Sequence, residues 1–288
     1  MRLPRRDEYR PISARPRHSP RSLVVWLIGL NLFIFGLDGL LLSNGIGVQQ
    51  TINGVPLTIQ GRPVISPLLQ YLGHFSVDLA IFKGHIWRFI TFQFLHANLA
   101  HLGFNMISLY FFGPMVEKYW GAYRFLAFYL LCGAAGALAY LGLWGAGMVE
   151  STAGQPLVGA SAGIFGVLIA GAILAPDARV MLLIPPIPMR LRTLALIAVG
   201  IGVYTVVWHG DEPGSNAGGQ AAHLGGAALG YVLMQHPGWL GLKRRKRRKR
   251  RKGFAADPDE QNPDPHEAAP TDNVPGPAKI DQGNVSLD

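Results

Sequence analysis

A serine among closely spaced small residues is the strongest candidate for chemistry in this chain of 288 residues. Ser161 is the centre of the pentapeptide Gly159-Ala160-Ser161-Ala162-Gly163. In soluble hydrolases such a pattern follows a β-strand, and its glycines let a substrate approach the hydroxyl closely. Here no convincing strand precedes the pentapeptide, and the residues that follow are strongly apolar. The pattern therefore indicates a serine at the start of a membrane-embedded helix.

Polar residues in other apolar segments could assist this serine. His101 and Asn105 are four residues apart and share one helical face. A third candidate, His223, lies between Ala222 and Leu224. Imidazole accepts a serine proton near neutral pH, and imidazole and amide groups can donate hydrogen bonds to an oxyanion. Alternatively, His101 and Asn105 form an interhelical hydrogen-bonding pair that only steadies a bundle.

Six apolar segments must position these residues. The predicted helices are at about 23–42, 95–115, 125–144, 158–175, 191–208 and 220–238. Their lengths approach the ~17–25 residues that a spanning helix needs, and 49% of the chain is hydrophobic. The predicted fold is an all-α polytopic membrane protein whose helical domain occupies residues 23–240. We recognise no internal repeat beyond the spacing of these segments, and we expect the long first connection to have structure of its own.

Basic residues in the connections predict the orientation. Lysine and arginine flank the second and fourth connections, whereas the third (145–157) and the fifth (209–219) contain neither. Since short cytoplasmic loops carry the excess of these residues, both termini are predicted to be cytoplasmic. The second, fourth and sixth helices then run inward, which places Ser161, His223 and the His101 face at one depth near the outer side. We expect the membrane to be a bacterial inner membrane.

The net charge of +9 is local, because ten consecutive basic residues run from Lys243 to Lys252 and the rest of the chain carries −1. A nucleic-acid-binding arm is one interpretation of such a run. Its position directly after the last apolar segment favours contact with anionic lipids instead, and we expect no nucleic-acid partner. The domain is thus predicted to lie between a basic cytoplasmic segment, 1–22, and a cytoplasmic tail, 243–288, whose Pro- and Asp-rich end is disordered.

The sequence favours a site without metal or cofactor. Several histidines precede or begin the second helix, but they lack the His-Glu-x-x-His spacing of a zinc protease and an accompanying carboxylate. There is one cysteine, and no phosphate-binding glycine loop occurs in a credible βαβ setting.

Taken together, these motifs resemble those of the rhomboid intramembrane serine proteases. The matching segments are Trp87-Arg88, the run from His96 to His101 followed by Asn105, Gly159-Ala160-Ser161, and Ala222-His223-Leu224-Gly225-Gly226. The resemblance covers about residues 80–240 and implies a six-helix rhomboid fold with a long structured first loop.

The resemblance also implies residue roles. Ser161 would be the nucleophile and His223 the general base and acid, without a third acidic member. The Ser161 N–H, His101 and Asn105 would hold the oxyanion. Supporting roles would fall to residues around this centre: Gly159 before the serine, Phe165 against the catalytic histidine, His96 bracing the first loop, and Trp87 and Arg88 within that loop.

The predicted function is an endopeptidase that cleaves transmembrane protein substrates near their extracytoplasmic ends. Two alternatives remain open at this point. One is a protease-dead relative that binds membrane clients, which the retained candidate residues disfavour. The other is a small-solute transporter, for which inverted repeats and broken helices in corresponding halves would be expected.

Overall fold

The computed structural model describes residues 22–52, 55–149, 152–181, 186–212 and 214–241. The predicted N-terminal segment before Ser22 and the basic tail after Gly241 lie outside these ranges. Within them, eight α-helices are α1 Leu23–Ser43, α2 Leu68–Gly73, α3 Arg88–Thr91, α4 Leu99–Trp120, α5 Ala122–Gly145, α6 Ser161–Leu174, α7 Leu191–Trp208 and α8 Ala217–Gln235.

Short antiparallel strand pairs occupy two of the connections. The strands are β1 Gly47–Gln49, β2 Thr51–Ile52, β3 Val55–Pro56, β4 Thr58–Ile59, β5 Arg62–Pro63, β6 Ile65–Pro67, β7 Arg179–Met181 and β8 Pro188–Arg190. In the first connection β1 pairs with β6, β2 with β3 and β4 with β5, while β7 and β8 form a hairpin between α6 and α7.

The long helices confirm the predicted polytopic membrane architecture. By length and composition, α1, α4, α5 and α7 are able to cross a membrane. Large apolar side chains such as Phe33, Phe111 and Leu196 are exposed on them, as expected for surfaces that face lipid. Helix α6 has only 14 residues. At 1.5 Å per residue it is about 21 Å long, shorter than the ~30 Å hydrocarbon core of a typical bilayer.

Several helix ends differ from the sequence-based boundaries. Helix α4 begins at Leu99 rather than at residue 95, because the Asn98 side chain caps it by accepting the His101 N–H at 2.9 Å. It continues past Pro114 to Trp120. Helix α5 begins at residue 122 rather than 125, and α8 occupies 217–235 rather than 220–238, followed by a 3₁₀ turn. Apolar composition marks a segment but contains little information about its caps.

Glycines allow α8 to approach α6 closely. A Cβ on Gly226 would overlap the carbonyl oxygen of Ala162, and one on Gly230 would lie 2.6 Å from the Cα of Gly166. On α5, Gly136 gives the same freedom, since a Cβ there would be 2.6 Å from the carbonyl oxygen of Ala222. Small residues of this kind let membrane helices pack backbone against backbone. The buried centre of the bundle is therefore α6, enclosed by α4, α5, α7 and α8.

Residues 47–52 and 55–67 form a small β-knob, and their sequence contains a repeat that was not predicted. Glycine recurs every seven residues, at 47, 54 and 61, and begins the heptapeptides GVQQTIN, GVPLTIQ and GRPVISP. The equivalent residues Gln50, Leu57 and Val64 form a closed ring of backbone hydrogen bonds. Gln50 donates to Val64 at 2.8 Å, Leu57 to Gln50 at 2.8 Å, and Val64 to Leu57 at 2.9 Å. The repeat thus corresponds to three strand pairs, β1–β6, β2–β3 and β4–β5, which we call the three arms of the β-knob.

The β-knob leads directly into α2, whose start is anchored to the first long helix. The Asp38 carboxylate on α1 accepts the N–H groups of Leu69 and Gln70 at 2.8 and 2.9 Å. These are free N–H groups of the first turn of α2, so Asp38 acts as a helix cap supplied from outside the helix. The structure thereby gives this buried acid a structural role in the first connection.

Candidate active site

Ser161 is the first residue of α6, and the backbone before it turns sharply. Gly159 has φ +130°, a conformation that favours glycine, and its N–H donates to Phe92 O at 3.0 Å. Ala160 is the N-cap, and its carbonyl accepts the Ile164 N–H at 3.1 Å. The N–H groups of this first turn have no carbonyl partner earlier in α6, so they and the helix dipole favour a negative charge beside Ser161.

His223 lies on α8 directly beside Ser161. Its Nε2 is 2.8 Å from Ser161 Oγ, and both side chains are half-buried. This approach depends on the contact between Gly226 and Ala162, because any side chain at position 226 would push α8 away from α6. The structure therefore brings together a hydroxyl and an imidazole from residues 62 positions apart.

Phe165 fixes the plane of the histidine ring. It lies one turn after Ser161 on α6, and its ring stacks on that of His223 with 4.2 Å between centroids and 10° between planes. Such parallel contact restricts rotation of the imidazole while leaving its edge free for hydrogen bonds.

The predicted oxyanion donors lie on the neighbouring helix α4. A Cβ on Gly159 would be 2.8 Å from His101 Nε2, so the imidazole packs directly over the glycine before the serine. Position 159 thus requires glycine for space as well as for conformation. Asn105 is buried one turn further along, and its Nδ2 donates to His101 O at 3.0 Å. That bond uses one of the two amide hydrogens of Asn105.

His96 is buried behind His101. The two rings meet edge to face with 5.2 Å between centroids. Within the part of the chain that the structure describes, neither ring nitrogen of His96 has a hydrogen-bonding partner. Burial, and to a lesser degree the proximity of His101, lowers the pKa of His96 to about 4. His96 is therefore neutral at ordinary pH and contributes shape rather than charge.

Arg88 ties the first connection together at a distance from the nucleophile. Its Nη1 donates to the carbonyls of Tyr71 at 3.1 Å and His74 at 2.6 Å, and its Nε donates to His85 Nδ1 at 3.3 Å. Trp87 is half-exposed and stacks on His85. Of the predicted supporting residues, Trp87 and Arg88 thus organise the loop and do not contact Ser161.

The first connection also pairs with the third, which leads into the pentapeptide. Phe75 and Leu157 exchange backbone hydrogen bonds of 3.0 and 2.7 Å, and the Asp78 N–H donates to Ala153 O at 2.8 Å. With the Gly159 N–H bonded to Phe92, these contacts make the first connection a brace for the backbone before Ser161.

Two glutamines near the site were missed by the sequence analysis. Gln93 is fully buried, and its Nε2 donates to Leu130 O at 3.2 Å, pressed against Gly133 on α5. The sequence signal for Gln93 was that it is a single polar residue between two phenylalanines, Phe92 and Phe94. Gln220 lies three residues before His223, with its Oε1 3.2 Å from His223 Nδ1. Its i−3 spacing, which places both residues on one helical face, could have indicated it.

The predicted glycine contacts need one correction. The spacing of Gly159 and Gly163, like that of Gly226 and Gly230, is a small-x-x-x-small pattern, which predicts close approach of the fourth and sixth helices at these glycines. Gly159 instead precedes α6, and Gly163 faces Tyr129 on α5, 2.8 Å from the position of a Cβ. The residues of α6 that meet Gly226 and Gly230 are Ala162 and Gly166.

Comparison with known proteins gives the chain a family. The family model of the Rhomboid domain matches residues 83–237. The chain is 28% identical over 239 residues to the mitochondrial Rhomboid protein 1 of Saccharomyces cerevisiae, a match that covers 82% of this chain and 58% of that protein.

Bacterial relatives are named as proteases. Rhomboid protease GluP of Bacillus subtilis is 33% identical over 150 residues, covering 52% of this chain and 27% of GluP. Rhomboid protease AarA of Providencia stuartii is 30% identical over 170 residues, covering 53% of this chain and 58% of AarA. The matches thus span between 27% and 58% of these three relatives. Because the Rhomboid domain takes up more than half of the sequence, including Ser161, His223 and their neighbours, this integral membrane protein belongs to the rhomboid family.

Proposed function

We propose that this protein is an intramembrane serine endopeptidase in which Ser161 and His223 form the catalytic dyad. The observation that carries the proposal is the 2.8 Å hydrogen bond between Ser161 Oγ and His223 Nε2 at the start of a helix. A serine hydroxyl is a weak nucleophile until a base takes its proton, and a neutral imidazole at this distance is able to do so.

The first half of the reaction forms an acyl-enzyme. Ser161 Oγ attacks the scissile carbonyl while its proton passes to His223 Nε2. The negative charge on the former carbonyl oxygen is stabilised by the Ser161 N–H, with His101 and Asn105 as further donors. His223 then protonates the leaving amine as the C–N bond breaks.

The second half releases the new carboxyl terminus. A water molecule attacks the ester carbonyl and gives a proton to His223, which returns it to Ser161 Oγ as the ester bond breaks. The position of Ser161 at the beginning of α6, rather than midway along it, supports access of water from the end of the bundle.

The substrates we propose are transmembrane proteins cleaved near their extracytoplasmic ends. A helical substrate hides its carbonyls in hydrogen bonds to residue i+4, so a cleavable segment needs glycine, proline or polar residues that let it unwind. The distribution of basic residues between the connections supports an orientation with both termini in the cytoplasm. A bacterial inner membrane and lipid contacts of the tail from Lys243 remain predictions.

Labelling with a fluorophosphonate tests the dyad directly. Purified wild-type protein in detergent should be labelled and should cleave a reporter whose transmembrane segment contains glycine. Ser161→Ala should abolish both signals, and His223→Ala should reduce labelling by several orders of magnitude. Ser43→Ala, at the exposed end of α1, is the matched serine control and should behave as wild type. Persistent cleavage by the Ser161→Ala variant would refute the mechanism.

A further inference from the structure

His223 has a second polar partner on the side of its ring that faces away from Ser161. Gln220 Oε1 lies 3.2 Å from Nδ1, while Nε2 lies 2.8 Å from Ser161 Oγ. Both nitrogens of the imidazole are therefore engaged, one by a residue of α6 and the other by a residue of the same helix, α8.

The chemistry of an amide oxygen decides the proton positions in this chain of contacts. Gln220 Oε1 only accepts hydrogen bonds, so a hydrogen bond between it and His223 requires the hydrogen to be on Nδ1. A neutral imidazole carries a single N–H, and Nε2 is then left with the lone pair directed at the Ser161 hydroxyl. This is the tautomer that a general base for Ser161 requires.

We propose that Gln220 is a positioning residue that holds His223 in this tautomer and orientation. The proposal rests on the proposed dyad and adds an uncharged third member to it. Gln220 would act through His223 and would not contact the substrate.

The surroundings of Gln220 favour this role. Gln220 and His223 are three residues apart on α8 and so face the same side. Gln220 is half-buried, and its Oε1 is 3.4 Å from the position that a Cβ would take at Gly202 on α7. The Phe165 stack sets the plane of the ring, and the two hydrogen bonds set its rotation within that plane.

The charges near His223 determine how a substitution at position 220 should affect protonation of its ring. Among the described residues, the titratable group that acts electrostatically on His223 from another helix is His101 on α4. Helices α5 and α7 approach this part of α8 through Gly136, Ala139 and Gly202, which carry no charge. A neutral amide at position 220 selects a tautomer without adding a negative charge, whereas a carboxylate there would also stabilise the protonated imidazole.

Three glutamine variants of the full-length protein separate these effects. Gln220→Met keeps the side-chain length but removes the acceptor, and we expect the rate of fluorophosphonate labelling to fall about fivefold to tenfold. Gln220→Glu restores an acceptor and adds charge, so the acidic limb of the labelling rate against pH should move to higher pH. Gln235→Met changes the same residue type, also half-buried, at the other end of α8 and should leave rate and pH profile unchanged.

A tautomer measurement gives a readout that does not depend on activity. In protein labelled with ¹⁵N-histidine, the His223 ring of the wild type should show a protonated Nδ1 and an unprotonated Nε2 at neutral pH. Gln220→Met should shift this population towards protonated Nε2.

The outcomes distinguish the inference from the function on which it rests. Wild-type labelling kinetics in Gln220→Met together with an unchanged tautomer signal would overturn the role of Gln220 while leaving the dyad intact. Failure of the wild type to label would overturn the proposed function, and the tautomer of His223 would still decide whether Gln220 positions it. If Gln220→Met fails to fold, an unshifted pH profile in Gln220→Glu overturns the inference instead.

Discussion

The ring of His223 lies parallel to that of Phe165, with 4.2 Å between centroids and 10° between planes. Because the stack restrains the proposed base, His223, and not the substrate, loss of the stack should reduce kcat more than it changes KM. We expect Phe165→Leu to lower kcat about threefold to tenfold, in line with the ~0.5–1.5 kcal/mol of an aromatic pair. Phe165→Tyr keeps the ring and should retain most of the activity. Phe111→Leu, on the exposed surface of α4, is the control, and an equal loss there would remove the specific role of Phe165.

The contact between α6 and α8 should tolerate no side chain at position 226. Gly226→Ala would place a Cβ against the Ala162 carbonyl oxygen and force the helices apart. We expect this overpacking to cost about 1–3 kcal/mol of unfolding free energy and to abolish labelling, since His223 moves with α8. Gly103→Ala is the matched control, because a Cβ at this position in α4 meets nothing within 4 Å. Thermal unfolding in detergent and probe labelling should separate the two variants.

His96 should make the protein sensitive to acid. Burial lowers its pKa from 6.5 to about 4 in the folded protein, so between these values the unfolded chain binds more protons. The contribution of neutral His96 to the free energy of unfolding is fully present above pH 6.5. It is lost as the pH falls towards 4, by up to roughly 3 kcal/mol. Unfolding measured across this window should show a shallower pH dependence for His96→Phe. Some slope should remain, because burial also lowers the pKa of His74. An identical slope in the variant would contradict this assignment.

Removal of the Asp38 carboxylate should loosen the beginning of α2. We expect Asp38→Ala to cost about 1–2 kcal/mol, since the N–H groups of Leu69 and Gln70 lose the oxygens that accept them. Asp38→Asn keeps one acceptor oxygen, so its free energy of unfolding should lie between those of the wild type and Asp38→Ala. Amide hydrogen exchange at residues 69 and 70 should accelerate in the alanine variant while exchange within α6 stays slow. Uniform acceleration throughout the bundle would indicate a global rather than a local effect.

The sequence was informative where the signal is local and chemical. Ser161 and His223 stand out as polar residues in apolar segments, and the direction of their helices predicts that they share a depth. The features that it did not predict depend on contacts between distant residues. Asp38 is a single acid within an apolar segment of the sequence, and nothing near it indicates that its partners lie about thirty residues away in another element.

The ends of the helices, and the helices that contact each other, were harder to predict from the sequence for a related reason. The start of α6 follows the turn at Gly159, whose φ is +130°, whereas the apolar residues Leu157 and Val158 just before it suited an earlier start equally well. Gly163 was assigned to the wrong neighbour because a small residue permits close approach without specifying which helix approaches. Gln220 and the seven-residue repeat, by contrast, were visible in the printed sequence.

The β-knob begins and ends at one point. Gly47 and Pro67 face each other as the first pair of the β1–β6 ladder, so the chain leaves α1, completes three arms and returns to where it started before entering α2. The hydrogen-bond ring of Gln50, Leu57 and Val64 is internal to this excursion. Because its two ends lie side by side, we expect that a short turn joining residues 46 and 68 could replace the β-knob while the chain still passes from α1 into α2.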